Sequence, residues 1–222
     1  MNNKINKKLV NKINSLLDKG VTSGLSKDPK PGEMCVEQVI CYALGEEITD
    51  RPSCVDEEVR WFVISLNDRN WSSPSARAEG MRELSIAQLG SKFLNQWEFL
   101  DKLSFRLITK LLPAMFRALG EEKWEKEIKS LEKAKDLKKA KKAAAKIASV
   151  IDVDSDTIAA ARATRDTYYA VHYIACGAYA ASYAADATKT GDKYLKMVAH
   201  LGVEVLKDMK SPGCQFIGCQ FI

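Results

Sequence analysis

Residues 152–189 read DVDSDTIAAARATRDTYYAVHYIACGAYAASYAADATK. Within them, residues 167–185 form a run of nineteen positions without a charge, long enough to span a bilayer. The content of the run opposes that use. Alanine adds little to membrane insertion, and His172, Ser182 and five tyrosines suit lipid tails poorly. The same residues suit a helix buried by other helices. Small side chains at Ala159, Ala163, Ala170, Gly177, Ala181 and Ala185 let neighbours approach closely, and buried tyrosine hydroxyls find hydrogen-bond partners there. Asp154 or Ser155 is placed to cap its start. The stretch predicts an all-α fold: a single helical-bundle-like domain of about eight helices around this buried Ala/Tyr-rich helix.

Outward from it, the rest of the chain agrees. Six prolines and twelve glycines in 222 residues are few, and alternation with period two is scarce, so long helices are favoured over a sandwich or barrel. Ile5, Leu9, Ile13, Leu16 and Leu17 repeat at helical spacing up to Gly20. The Pro- and Gly-bearing VTSGLSKDPKPGE reads as a linker, which sets residues 1–31 apart as a helix and linker, with a detached arm left open. Residues 32–222 form the main all-α domain, with a subdivision near 120–150 as the alternative. MCVEQVICYALG is a short apolar helix ending at Gly45. Ser53 is expected to cap the next helix, and Ser73–Pro74 opens another. A longer helix over about 94–119 should kink at Pro113. Residues 121–149 read as one lysine-rich helix with an exposed end, and a last helix spans about 192–210 before SPG. The chain closes on a tandem GCQFI–GCQFI, too short for a folded repeat and assigned no function.

Hydrophobic and charged fractions of 46% and 28% exclude general disorder. The net charge of +5 is uneven: residues 1–30 carry +5, residues 121–146 carry +4, and the remainder −4. The N-terminus lacks the apolar run of a secretory signal. Six cysteines (Cys35, Cys41, Cys54, Cys176, Cys214 and Cys219) lie scattered in mostly apolar patterns, as free buried thiols do. A cytoplasmic protein is the expectation.

Candidate chemistry gathers on the alanine-rich helix. Arg162, Asp166, Tyr169 and Tyr173 share one stripe; His172 and Cys176 fall on the adjacent one with Tyr168, Tyr179 and Tyr183. Such a set lines either an interhelical hydrogen-bond network or a pocket for an anionic or aromatic small molecule. Cys35, in the first turn of its helix, is a reactive-thiol candidate, although no histidine lies near it in sequence to act as base. Lys138, Lys139, Lys141 and Lys142 are candidates for tracking a phosphate backbone, opposed by six acids in the same segment. Asp152, Asp154 and Asp156 alternate like the start of a calcium loop, but Thr157 and Ala163 occupy the positions where glycine and glutamate are needed. No metal site and no cofactor are expected.

Residues 33–90, through EMCVEQVICYALG, ISLNDRNWSS and RELSIAQLGS, resemble bacterial and phage proteins of unassigned function. The cysteine-bearing helix followed by LND is similar, more weakly, to a small actinobacterial domain. The segment through VEVLKDMKSPGC resembles the C-terminal part of like proteins and, more loosely, alanine-rich immunity-type proteins. The resemblance carries no catalytic residues. It implies a phage or mobile-element context and a non-enzymatic interaction protein of inhibitor, counter-defence or immunity type, whose partner is a host or defence protein or a small ligand. A protein partner would need an exposed aromatic patch, with Trp71 and Trp97 the nearest candidates. The alternatives are a small-molecule-binding protein or enzyme built on Arg162, Asp166, Tyr169 and His172, and nucleic-acid binding through residues 1–30 and 121–146. No membrane partner is expected, and homo-oligomerisation stays open.

Overall fold

Side-chain caps fix where most helices begin. Asn6 accepts a hydrogen bond from the Leu9 amide (3.0 Å) and opens α1 (Lys7–Leu17). Asp56 accepts from the Glu58 and Val59 amides and opens α3 (Glu57–Asn67). Ser53, the expected cap, instead bonds Glu46 through its amide (2.9 Å); a carboxylate three residues later better complements the helix dipole. Ser73 caps α4 (Pro74–Ala87) with proline at the first turn, as the sequence predicts. Between them, α2 (Val36–Leu44) stops at Gly45, whose φ of +73° is one that side chains resist.

A computed structural model describes residues 5–118, 125–150 and 192–218. The alanine-rich helix that anchors the sequence reading lies outside these residues. Among the described residues the chain is all-helical, with eight helices and no strand. Helix α5 runs as Gln96–Arg106, widens into a π turn over Leu107–Leu111, and resumes over Leu112–Ala118. The irregularity expected at Pro113 thus falls in the turn preceding it. Pro113 has no N–H to give the Thr109 carbonyl and its ring crowds that oxygen, so a shifted register relieves both.

The lysine-rich segment is two helices rather than one. α6 (Glu125–Glu132) ends in a turn, and Asp136 accepts from the Lys139 amide (2.8 Å) to start α7 (Leu137–Val150). The far end is not simply exposed either: Ala140, Ala144 and Ile147 are buried in the core. Alanines at this spacing let α7 lie close to α5 and α6. Helix α8 (Lys193–Asp208) packs along α4, burying Leu195, Val198, Leu201, Val205 and Leu206.

Two loops are bound into this frame. Residues 18–35 are a strap rather than a free linker. Val21 and Met34 are fully buried, the Thr22 amide donates to the Met34 carbonyl (2.9 Å), and α1 packs on α2 and α4. So α1 does not stand off as an arm; its Leu9, Val10, Ile13, Leu16 and Leu17 belong to the core. At the other end, SPG closes onto the last turn of α4. Ser211 Oγ donates to the Ala87 carbonyl (2.6 Å) and the Gly213 amide to the Leu89 carbonyl (2.8 Å), satisfying groups that a helix end leaves open. A Cβ at Gly213 would stand 1.9 Å from the Ile86 oxygen, so only glycine fits.

Candidate functional site

Helix α2 is buried on every side at its start: all residues from Met34 to Cys41 are inside. Polar residues there must therefore find partners inside the protein. Gln38 does. Its Nε2 donates to the Ser26 carbonyl (2.7 Å), and its Oε1 accepts from the Ser26 and Cys35 amides. The LND motif supplies a second hub. Asn67 Nδ2 donates to the Thr22 carbonyl (3.0 Å), Asn67 Oδ1 accepts from the Val36 amide, and Asp68 accepts from the Gly24 amide. Arg77 adds bonds from Nη1 to the Val21 carbonyl and from Nη2 to the Arg69 carbonyl. Those motif residues have a structural explanation.

Glu37 does not. It is 1% exposed, and Gln88 beside it is 0% exposed. Neither carboxyl oxygen of Glu37 nor either polar side-chain atom of Gln88 makes a hydrogen bond of good geometry, although the Gln88 amide lies close enough to favour the charged carboxylate. Burial pushes the Glu37 carboxyl up to about 8, against the opposing influence of the Gln88 amide and the Arg60 charge. The Arg60 guanidinium is itself buried. It pairs at 3.5 Å with Asp50 and with Glu57, too long for strong hydrogen bonds, and stacks over Trp61 at 4.6 Å from the ring centroid. The group is a buried acid held neutral at neutral pH beside an unsatisfied amide and a cation. Chemically it can hold or release one proton. Sequence reasoning missed it, although an acid inside an otherwise apolar MCVEQVIC run was the available signal.

Cys35, the reactive-thiol candidate, is enclosed by the core. Its thiol is buried, and desolvation raises it to about 12, outweighing the amide bonds that favour the thiolate. Burial likewise raises Cys41 and Cys54, and takes Cys214 to about 11. All four described cysteines are unpaired thiols with their nucleophilic form suppressed.

The ligand-binding candidates Arg162, Asp166, Tyr169, His172, Tyr173 and Cys176 lie outside the described residues, as does the 152–156 aspartate run. Of the lysine candidates, Lys138, Lys139 and Lys142 are exposed and Lys141 is half-buried; Lys139 pairs with Asp136 at 3.3 Å. In the N-terminal basic segment, Lys12 is already committed. Its Nζ donates to the Tyr42 and Ala43 carbonyls (3.1 Å each) at the end of α2. Among the described residues no His/Cys/Asp/Glu cluster could hold a metal ion, and no helix is long and apolar enough to cross a membrane.

One surface feature stands apart. Trp71 is 7% exposed, its Nε1 donating to the Leu66 carbonyl, so it offers no patch. Phe93 and Trp97, by contrast, are 77% and 68% exposed. They flank the corner between α4 and α5, and that corner is firmly held. Ser91 Oγ accepts from the Asp56 amide, the Lys92 amide donates to the Cys54 carbonyl, and Asn95 accepts from the Trp97 and Glu98 amides. Phe99, two residues on, points inward and meets Phe62 edge to face at 6.0 Å. Comparison of the chain with protein-family models, with curated proteins and with solved structures finds no match.

Proposed function

We propose that the protein is a non-enzymatic helical interaction protein that binds a protein partner through the Phe93–Trp97 corner. The observation that carries this reading is two large aromatic side chains left in water by a backbone corner fixed through four or more hydrogen bonds. A lone exposed apolar residue is ordinary on a protein surface. Two aromatics on an ordered corner form an anchor of the kind that dominates interface energies, and little backbone entropy is lost when they are covered. Burial holds the four described thiols in their neutral form, which counts against a cysteine nucleophile at those positions. The resemblance noted for residues 33–90 directs the search to phage, mobile-element and host defence proteins.

The test is a photo-crosslinking residue in place of Lys92, which is exposed beside the pair, used in a host lysate and followed by mass spectrometry. A single crosslinked partner is expected. Its affinity should fall roughly thirty-fold or more on Phe93→Ala/Trp97→Ala, the loss typical of interface anchors. A partner held equally well by the double variant, or no specific crosslink, would reject the corner as the binding surface.

A further inference from the structure

The helical hairpin α6–α7 turns its apolar face (Ile128, Leu131, Ala140, Ala144 and Ile147) to the core. Between the two helices lies an open groove of about 590 Å³, lined by residues of both. Lys126, Lys129 and Lys133 line one wall, and Lys139 and Lys146 the other. On α6 the spacing is i, i+3, i+7 and on α7 it is i, i+7, so each set shares one helix face. Among the described residues Glu127 is the one acid lining the groove, against five lysines. Ala134 and Ala143 also line it and leave room between the walls, and Ser130 adds a hydroxyl donor.

We infer that this groove is a binding site for a compact polyphosphate group. Like charges gathered around a concave volume repel one another, and an anion of several charges relieves that repulsion at every wall. Lysine serves phosphate as a mobile point charge and needs no fixed fork geometry. The ion pairs of Lys129 and Lys139 do not block entry. Lys129–Glu125 at 3.5 Å and Lys139–Asp136 at 3.3 Å are exposed pairs, weak enough to yield to a multivalent ligand. Two features select a compact ligand over a nucleic-acid strand. The lysines converge from two walls on one volume of small-molecule size, and among the described residues no aromatic lines the groove to stack a base. The exposed Lys138 and Lys142 are not among the lining residues, so the consecutive lysine run and the converging set are different groups of residues. The shared chemistry is a chain of linked phosphates, free or carried by a nucleoside.

Titration calorimetry of the full chain with inorganic triphosphate tests this, with adenosine triphosphate and a single-stranded oligonucleotide as parallel ligands. Lys126→Gln/Lys133→Gln is compared with Lys138→Gln/Lys142→Gln, which removes equal charge outside the groove. The groove pair should weaken triphosphate about tenfold or more, and the outer pair about twofold or less, because contact and not net charge sets the loss. Tighter binding of the nucleotide with the same dependence on the groove pair would support the site and identify the nucleoside-borne form. Absence of triphosphate binding, equal losses in both pairs, or an oligonucleotide bound most tightly through the outer pair would overturn the inference.

Discussion

Glu37 and Gln38 are neighbours on the first turn of α2, both buried, yet their bonding states are opposite. Gln38 fastens the strap 18–35 with three hydrogen bonds, and Asn67 and Arg77 complete that hub. One turn-width away, Glu37 and Gln88 bury four polar side-chain atoms without a hydrogen bond of good geometry. The difference lies in what faces each side chain. Gln38 meets loop backbone, which offers free amides and carbonyls. Glu37 meets the Gln88 side chain just past the end of α4 and the Arg60 charge, and neither answers it with a hydrogen bond of good geometry. Buried polarity answered by backbone builds the fold; buried polarity left unanswered stays a charge-sensitive spot.

The largest effect is expected where the hub is cut. Asn67→Ala strands the Thr22 carbonyl and the Val36 amide, and should cost about 2–4 kcal/mol in urea unfolding. A loss under about 1 kcal/mol would place the strap's stability elsewhere and break the contrast.

Next in size is the pH response of Glu37. Its pKa is raised on folding to about 8, so the folded state favours the protonated form. The associated stability is fully present below about pH 4.5, the unfolded value, and is lost as pH rises through 8. Glu37→Gln keeps the neutral shape, so it should match the wild type near pH 4.5. At pH 8.5 it should exceed the wild type by up to about 4 kcal/mol. Parallel stability curves for the two proteins across that range would show that Glu37 finds a partner when charged.

The finest test sets two glutamines side by side. Gln38→Leu should cost about 2 kcal/mol, because three backbone groups lose their partner. Gln88→Leu should change stability by less than about 1 kcal/mol, since its amide makes no hydrogen bond of good geometry. Equal losses would erase the distinction between the two regions.

Much of the fold was legible in the sequence, and for local reasons. Ser73–Pro74, Gly45 and the Leu100, Leu103, Leu107, Ile108, Leu111 and Met115 face of α5 follow from capping, left-handed backbone and helical spacing, with Leu100 alone of that face only partly buried. The break at residues 133–136 was missed because nothing but Asp136 marks it, and alanine and lysine are good helix formers on both sides. Of the site, less was legible. Trp71 and Trp97 look alike in sequence, and only packing buries the first and leaves the second in water. The Lys138–Lys142 run is conspicuous as letters, whereas the lysines that converge are spread from 126 to 146 on two helices.

The sequence by itself determined the all-helical class and most helix limits, because these depend on periodicity and on caps within a few residues of each other. It also held the buried acid in plain view inside MCVEQVIC. Tertiary structure alone decided which buried polar groups are answered. Partners such as Gln38–Ser26, Asn67–Thr22 and Ser211–Ala87 are separated by 12, 45 and 124 residues, and no local pattern reports who will meet across the core.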